Sequence, residues 1–295
     1  MADKTAIAWT DHTFNIAWGC TKVSPGCKNC YADTLSERYG HSVWGPGNPR
    51  RTFGVKHWGD PVKWNAIAAA EKRRHRVFCS SMCDNMEDHP TIIGELAKLW
   101  GLIRQTPWLD WQLLTKRADR IATSLPADWG DGWPNVWLGV SIENNDYAWR
   151  ADMLRKVPAA VRFVSYEPAL GPLDALDLSG LHWLIYGGES GPGFRDHDIQ
   201  WARDIRSRCN AAGVAFFYKQ SPAYRTELGI ELDGEIVRAY PEVSSMDYIL
   251  PVRKASRLGV QPRNLINSAG GDDGLLSQSV TDPNRTPQIK PRGAR

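Results

Sequence analysis

The chain has 295 residues, 42% hydrophobic and 23% charged, with 36 Lys and Arg against 33 Asp and Glu for a net charge of +3. That length buries a sizeable core in one large domain or two ordinary ones, and the composition excludes the disordered and fibrous classes. No apolar run approaches a membrane span, and the start, MADKTAIAWT, lacks a signal peptide's basic and apolar stretches, so the expected compartment is the cytoplasm, with no membrane partner.

FNIAWG (14–19) reads as a first strand, and the cysteine loop GCTKVSPGCKNCYAD follows it directly. WGPGNPRRTFGVKHWGDPVKW (44–64) reads as the body of a long insertion over 41–74. HRVFCSSM (75–82), DWQLLTK (110–116), NVWLGVSIE (135–143), VRFVSYEP (161–168), LHWLIYGGES (181–190) and GVAFFYKQ (213–220) have the length and the β-branched and aromatic content of buried strands. Between them, TIIGELAKLWGLIRQ places Ile92, Leu96, Leu99 and Ile103 on one helical face. IQWARDIRSRCNAAG repeats Trp201, Ile205 and Cys209 before Gly213 stops it. Such alternation implies an α/β fold, a parallel (β/α) barrel of six or seven units, partial or closed, over residues 1–222. Periodicity alone leaves an open doubly wound sheet as the other form. Residues 223–252 read as a small appended segment with LDG (232–234) as a turn. Residues 253–295 carry eight Lys or Arg against three Asp and read as a basic, solvated tail.

The strand ends hold the chemistry. Apolar runs break into Ser80, Ser81 and Asp84, then Thr115, Lys116 and Arg117, then Ser141, Glu143 and Asn144, then Ser165 and Glu167, then Gly187, Gly188, Glu189 and Ser190, and finally Lys219 and Gln220. A parallel barrel gathers all these ends at one rim, where active sites of such folds are built. Lys116, Glu143, Glu167, Glu189 and Lys219 are therefore the candidate catalytic residues. Any single one is equally well explained as a helix cap.

Six cysteines in a reducing compartment are metal ligands or core residues rather than disulfides. Cys79 and Cys209 fall on apolar stripes and read as core. Cys20, Cys27 and Cys30 form a ligand set with a vacancy. A structural zinc site is closed by four ligands, for which His12 and Cys83 are the further candidates. A cubane [4Fe–4S] cluster needs one outside ligand per iron, so three cysteines leave one iron to chelate S-adenosylmethionine, whose reductive cleavage gives a 5′-deoxyadenosyl radical.

NIAWGCTKVSPGCKNCYAD resembles the cluster loop of radical S-adenosylmethionine enzymes such as spore photoproduct lyase. The ordered set of that loop with SSMCD, LLTKR, GVSIE, YEPALGPL, GGESGPGFRDHD, FFYKQ and LDGEIVRAYPEV, over about residues 6–243, resembles a phage- and prophage-encoded three-cysteine family, often encoded beside a three-Cys-motif partner protein. The resemblance implies a radical enzyme with Cys20, Cys27 and Cys30 on the cluster. It also implies the cofactor's amino group near Ser80, Ser81 and Asp84, its ribose near Ser141 and Glu143, and close approach to the backbone at Gly187 and Gly188. Six residues separate the first two cysteines where the usual pattern has three, and Asn29 stands where an aromatic residue usually precedes the last.

The competing reading is a zinc-stapled nucleic-acid-binding protein without catalysis, its tail and tryptophans meeting a strand. Trp9, Trp18, Trp44, Trp58 and Trp64 are more simply core or loop anchors. Both readings give a nucleic acid as the expected partner, with Arg50 and Arg51 as candidate phosphate contacts.

Overall fold

The computed structural model describes residues 5–243, which belong to one unit, Met1–Val252. The expected tail over 253–295 and the appended segment from 244 onward lie outside the described residues.

The strands are β1 (His12–Phe14), β2 (Ala17–Trp18), β3 (Arg51–Thr52), β4 (His75–Cys79), β5 (Leu109–Thr115), β6 (Val136–Ser141), β7 (Val161–Tyr166), β8 (Trp183–Gly187) and β9 (Ala215–Gln220). The helices are α1 (Tyr31–Arg38), α2 (Val55–Glu71), α3 (Pro90–Gln105), α4 (Ile121–Ser124), α5 (Trp149–Arg155) and α6 (Ile199–Ala212). Seven strands pair in parallel in the order β1-β4-β5-β6-β7-β8-β9, so the expected α/β fold is present with seven strands. The barrel is partial, because β1 and β9 end the order and do not pair.

Strand alternation divides the core in two. The outward face (Val77, Trp111, Leu138, Val140, Val164, Leu184, Phe216) packs under helices that contribute Ile92, Leu99, Ile103, Leu154, Ile205 and Cys209, all buried. The inward face holds Phe78, Trp137, Phe163, Trp183, Ile185 and Phe217, and Trp9 packs among them. The Trp9 ring lies 4.5 Å from Phe78 on β4 and 5.9 Å from Trp183 on β8. Those strands are four positions apart, about 19 Å in a flat sheet. One indole reaches both only because the sheet curls around it.

The expected helical faces are those buried. Asp198 caps α6 by accepting from the Gln200 amide, and Gly213, at φ +68°, ends it. Three expectations need correction. FNIAWG is not one strand: the chain leaves the sheet after Phe14, and Ala17–Trp18 pairs antiparallel with Arg51–Thr52. The second half of the 41–74 insertion is α2, the crossover helix between β1 and β4, which buries Trp64 and Ala68; Gly59 and Pro61 disguise its period. Between β7 and β8 there is no helix.

Residues 223–243 run back along β9. The Tyr218 amide donates to the Val237 carbonyl (2.7 Å) and the Ala239 amide to the Phe216 carbonyl (3.0 Å), covering the strand's free edge. The Tyr240 hydroxyl donates to the Ala8 carbonyl at 3.1 Å.

Gly139 admits the fully buried Phe163 ring, which a Cβ there would meet at 2.2 Å. Gly139→Ala is expected to lower unfolding stability by about 1–3 kcal/mol, read from the denaturant midpoint at unchanged slope.

Candidate functional site

The cysteine loop starts where β2 ends and has little regular structure of its own. Its one element is the single 3₁₀ turn Pro25–Cys27, which Pro25 can open because its missing N–H has no role there. Cys30 then stands at the N-cap position of α1 without a side-chain capping hydrogen bond. All six cysteines are free thiols.

The loop is held by charge at three points. At its start, the Thr21 amide donates to Glu87 Oε1 (2.8 Å), and Arg50 donates from Nη2 to the Thr21 hydroxyl (3.0 Å) and from Nε to Glu87 Oε2 (2.8 Å). Arg117 Nη2 donates to the Thr21 carbonyl (2.8 Å), while its Nη1 lies 2.9 Å from Asp84 and 3.6 Å from the Cys20 sulfur. In the middle, the Ser24 hydroxyl donates to Glu143 Oε1 (2.6 Å), and Gly26 packs so closely on this carboxylate that a Cβ would stand 2.5 Å from it. Glu143 is wholly buried and paired with Arg150 at 2.9 Å. At the end, the Asn29 amide donates to Glu189 Oε2 (2.9 Å), and Arg195, itself paired with Glu189, donates to the Pro25 carbonyl (3.0 Å). Burial pushes the Glu189 and Glu87 carboxyls up, but hydrogen bonds from Arg195 and Asn29 to the first, and from Arg50 and Thr21 to the second, leave both below their ordinary values.

The loop walls a cavity of about 510 Å³ at the C-terminal ends of the strands. Cys20, Cys27 and Cys30 all line it, with Ser80, Ser81, Asp84, Lys116, Ser141, Glu167, Gly188, Glu189 and Lys219. Lys219 donates to Glu167 across the cavity rim. Of the strand-end residues, Glu143, Asn144, Gly187 and Gln220 do not line it. Glu143 stands behind Gly26, and Gly187 gives room to Glu167, whose carboxyl carbon a Cβ would meet at 2.9 Å. Asp84 spends its carboxylate on the Thr115 hydroxyl (2.6 Å), the Lys116 amide (3.0 Å) and Arg117. Gly188 is small because Pro222 approaches it, to 2.2 Å of a built Cβ.

Burial pushes the Cys20 thiol up, reinforced by Asp84 and opposed by Arg117; it also raises Cys30, opposed by the Asp33 and Ala32 amides and Lys116. Bare thiolates are thus disfavoured, and a cationic centre is what ionises such groups. Three free thiols are the donor type that an iron–sulfur cluster takes, and all three line the cavity. Among the described residues no three His, Cys, Asp or Glu side chains form a group that could hold a single metal ion. Of the fourth-ligand candidates for zinc, His12 is engaged elsewhere, 3.0 Å from His75 and stacked on Trp64, whereas Cys83 lines the same cavity as the three loop thiols.

Sequence reasoning missed the struts. Arg50, expected at a phosphate backbone, has a side chain with no exposure and a Glu87 partner. Arg51 is exposed, 5.5 Å from the Trp18 ring. Trp9 and Phe78 form the cavity floor with Ile7 and Leu114, and Arg225 stands at the mouth.

Residues 4–249 match the family described as "Protein of unknown function (DUF5131)". The chain belongs to that family. No curated protein matches it. A solved structure of a spore photoproduct lyase double mutant with bound AdoMet and dinucleoside spore photoproduct is similar at a TM-score of 0.42 and 13% identity, over 68% of this chain and 61% of that one. The chain therefore spans about three-fifths of that structure's length, and a likeness of this size establishes neither activity nor ligand.

Arg50→Ala leaves Glu87 buried without its main partner and is expected to cost about 3–5 kcal/mol of stability. Because the folded-state value of Glu87 is lowered, its contribution is complete above the ordinary carboxyl value of 4.5 and is lost as pH falls through the lowered one. Unfolding measured from pH 7 to 3 is expected to show a shallower acid limb in Arg50→Ala than in the unaltered chain.

Proposed function

We propose that this chain is a radical S-adenosylmethionine enzyme in which Cys20, Cys27 and Cys30 hold a [4Fe–4S] cluster whose fourth iron takes the cofactor. The observation that carries the reading is that three free thiols from one clamped loop line a single cavity at the strand ends of a parallel partial barrel. When bound, the pair supplies reductive chemistry: an external low-potential one-electron donor reduces the cluster, and sulfonium cleavage gives methionine and a 5′-deoxyadenosyl radical that takes a hydrogen atom from substrate.

The chain's own residues supply the rest. Glu87, Glu143 and Glu189 hold the loop. Lys116 and Arg117 place positive charge beside the thiolates. Ser80, Ser81 and Ser141 line the cavity and would meet the cofactor's polar groups, and Trp9, Phe78 and Leu114 would exclude water from below. Glu167 and Lys219, paired at the rim, both line the cavity and so stand within reach of a bound molecule.

For the substrate we propose a nucleobase within a nucleic acid. An aromatic floor, with the Trp9 and Phe78 rings lining it, suits a planar ring. Arg225 at the mouth suits a phosphate, whereas Lys22 is already paired with Asp33 at 2.7 Å. The phage setting and the three-Cys-motif partner protein belong to the same reading.

Anaerobic reconstitution is expected to yield a brown protein with about four iron and four sulfide per chain. It should lose them in Cys20→Ala, Cys27→Ala and Cys30→Ala, and form 5′-deoxyadenosine with dithionite and S-adenosylmethionine. A colourless protein that makes none overturns the reading. Arg225→Ala is expected to weaken oligonucleotide binding and to flatten the slope of log affinity against log salt by about one; an unchanged slope removes the nucleic-acid substrate.

A further inference from the structure

Among the three loop thiols, Cys20 is set apart by its neighbour. Cys27 lies 3.7 Å from the Ser24 hydroxyl, and Cys30 stands at the N-cap position of α1, whereas Cys20 is in direct contact with a guanidinium, Arg117 Nη1 at 3.6 Å. This guanidinium is not free to leave. Asp84 holds it at 2.9 Å, Glu87 at 3.3 Å and the Thr21 carbonyl at 2.8 Å, and its side chain is 11% exposed. Asp84 is in turn fixed by the Thr115 hydroxyl and the Lys116 amide at the end of β5. Arg50 completes the set through Glu87, so two cations and two carboxylates balance beside one sulfur.

Resting on the radical S-adenosylmethionine reading, we infer that Arg117 is a positioning residue that acts through Cys20 to raise the reduction potential of the bound cluster. A fixed positive charge and an N–H donor at a ligand sulfur withdraw electron density from it and favour the more negative, reduced state. Removing the guanidinium reverses this, and it also leaves Asp84 and Glu87 with one cation fewer between them. A strut that merely shaped the loop would not need to touch sulfur, and Arg50, which shares Thr21 and Glu87 with Arg117, touches none.

The test uses the full chain, reconstituted anaerobically. Iron and sulfide are assayed first, and the midpoint is then read by potentiometric titration followed by electron paramagnetic resonance. Arg117→Gln is expected to lower the midpoint enough to cut the reduced-to-oxidised ratio at a fixed poise at least about tenfold, roughly 59 mV for one electron. Arg117→Lys keeps the charge but cannot span Asp84, Thr21 and the sulfur together, and is expected to fall between; it carries the test if Arg117→Gln does not fold. Arg120→Gln removes a guanidinium held by the Met86 carbonyl and Asp88, away from the cysteine loop, and is expected to keep the original midpoint. An unchanged midpoint in the folded Arg117 variants, or an equal fall in Arg120→Gln, overturns the inference while leaving the functional reading standing. An unaltered chain that takes up no iron and sulfide removes both.

Discussion

Buried charge beneath the cysteine loop is the constraint on which the site depends. A loop with one short turn cannot fix three sulfurs by its own hydrogen bonds. The chain fixes them with carboxylates that reach up from strand and loop ends: Glu87 to Thr21, Glu143 to Ser24, Glu189 to Asn29. Each carboxylate has its own arginine, Arg50, Arg150 and Arg195 respectively. Such pairs add little net stability over apolar packing, yet losing one partner is costly, so they select one loop geometry rather than strengthen the fold at large. The same arrangement explains why Gly26 must be small. A side chain there would displace the Glu143 carboxylate from the ion pair it makes with Arg150.

Much of the fold was legible because it follows from two periods. Six of the seven sheet strands and helices α3 and α6 stand where apolar alternation and spacing put them, and their ends gather at one rim, as parallel connection requires. What escaped the pattern was disguised by local residues: α2 by Gly59 and Pro61, the short β2–β3 ribbon by its two-residue strands. The site was legible in part. Cys20, Cys27 and Cys30 announced themselves by density, and most strand-end residues line the cavity. The partners of those residues did not show, because an ion pair such as Arg50–Glu87 joins positions 37 apart that nothing local connects. Arg50 beside Arg51 looks like a solvated basic pair until the fold buries one and leaves the other exposed.

The glutamates show how one sequence signal can serve two ends. All three at the rim follow apolar strands, yet Glu143 and Glu189 turn to the loop, with Lys116 3.9 Å from Glu143, while Glu167 pairs closely across the rim with Lys219. The neighbours that decide this come from elsewhere in the chain. Glu143 meets Ser24 of the loop and Arg150 of α5; Glu189 meets Asn29 and Arg195; Glu167 meets Lys219 over the space left by Gly187.

Curvature and chemistry are linked through Trp9. Because the sheet curls around this indole, its inner face is filled with aromatic rings in the lower half and left open above, where Ser80, Ser141 and Ser165 replace them on the same faces of their strands. A flat sheet would spread those serines and the flanking charges along a line; the curled one turns them toward a common space. The loop docks across that opening, and of the struts that hold it there Glu189 and Arg117 also line the cavity, while Glu87 and Glu143 do not. The cavity is thus produced by two separable features, an aromatic plug that sets its floor and a charged clamp that sets its wall, and the three thiols belong to the clamp.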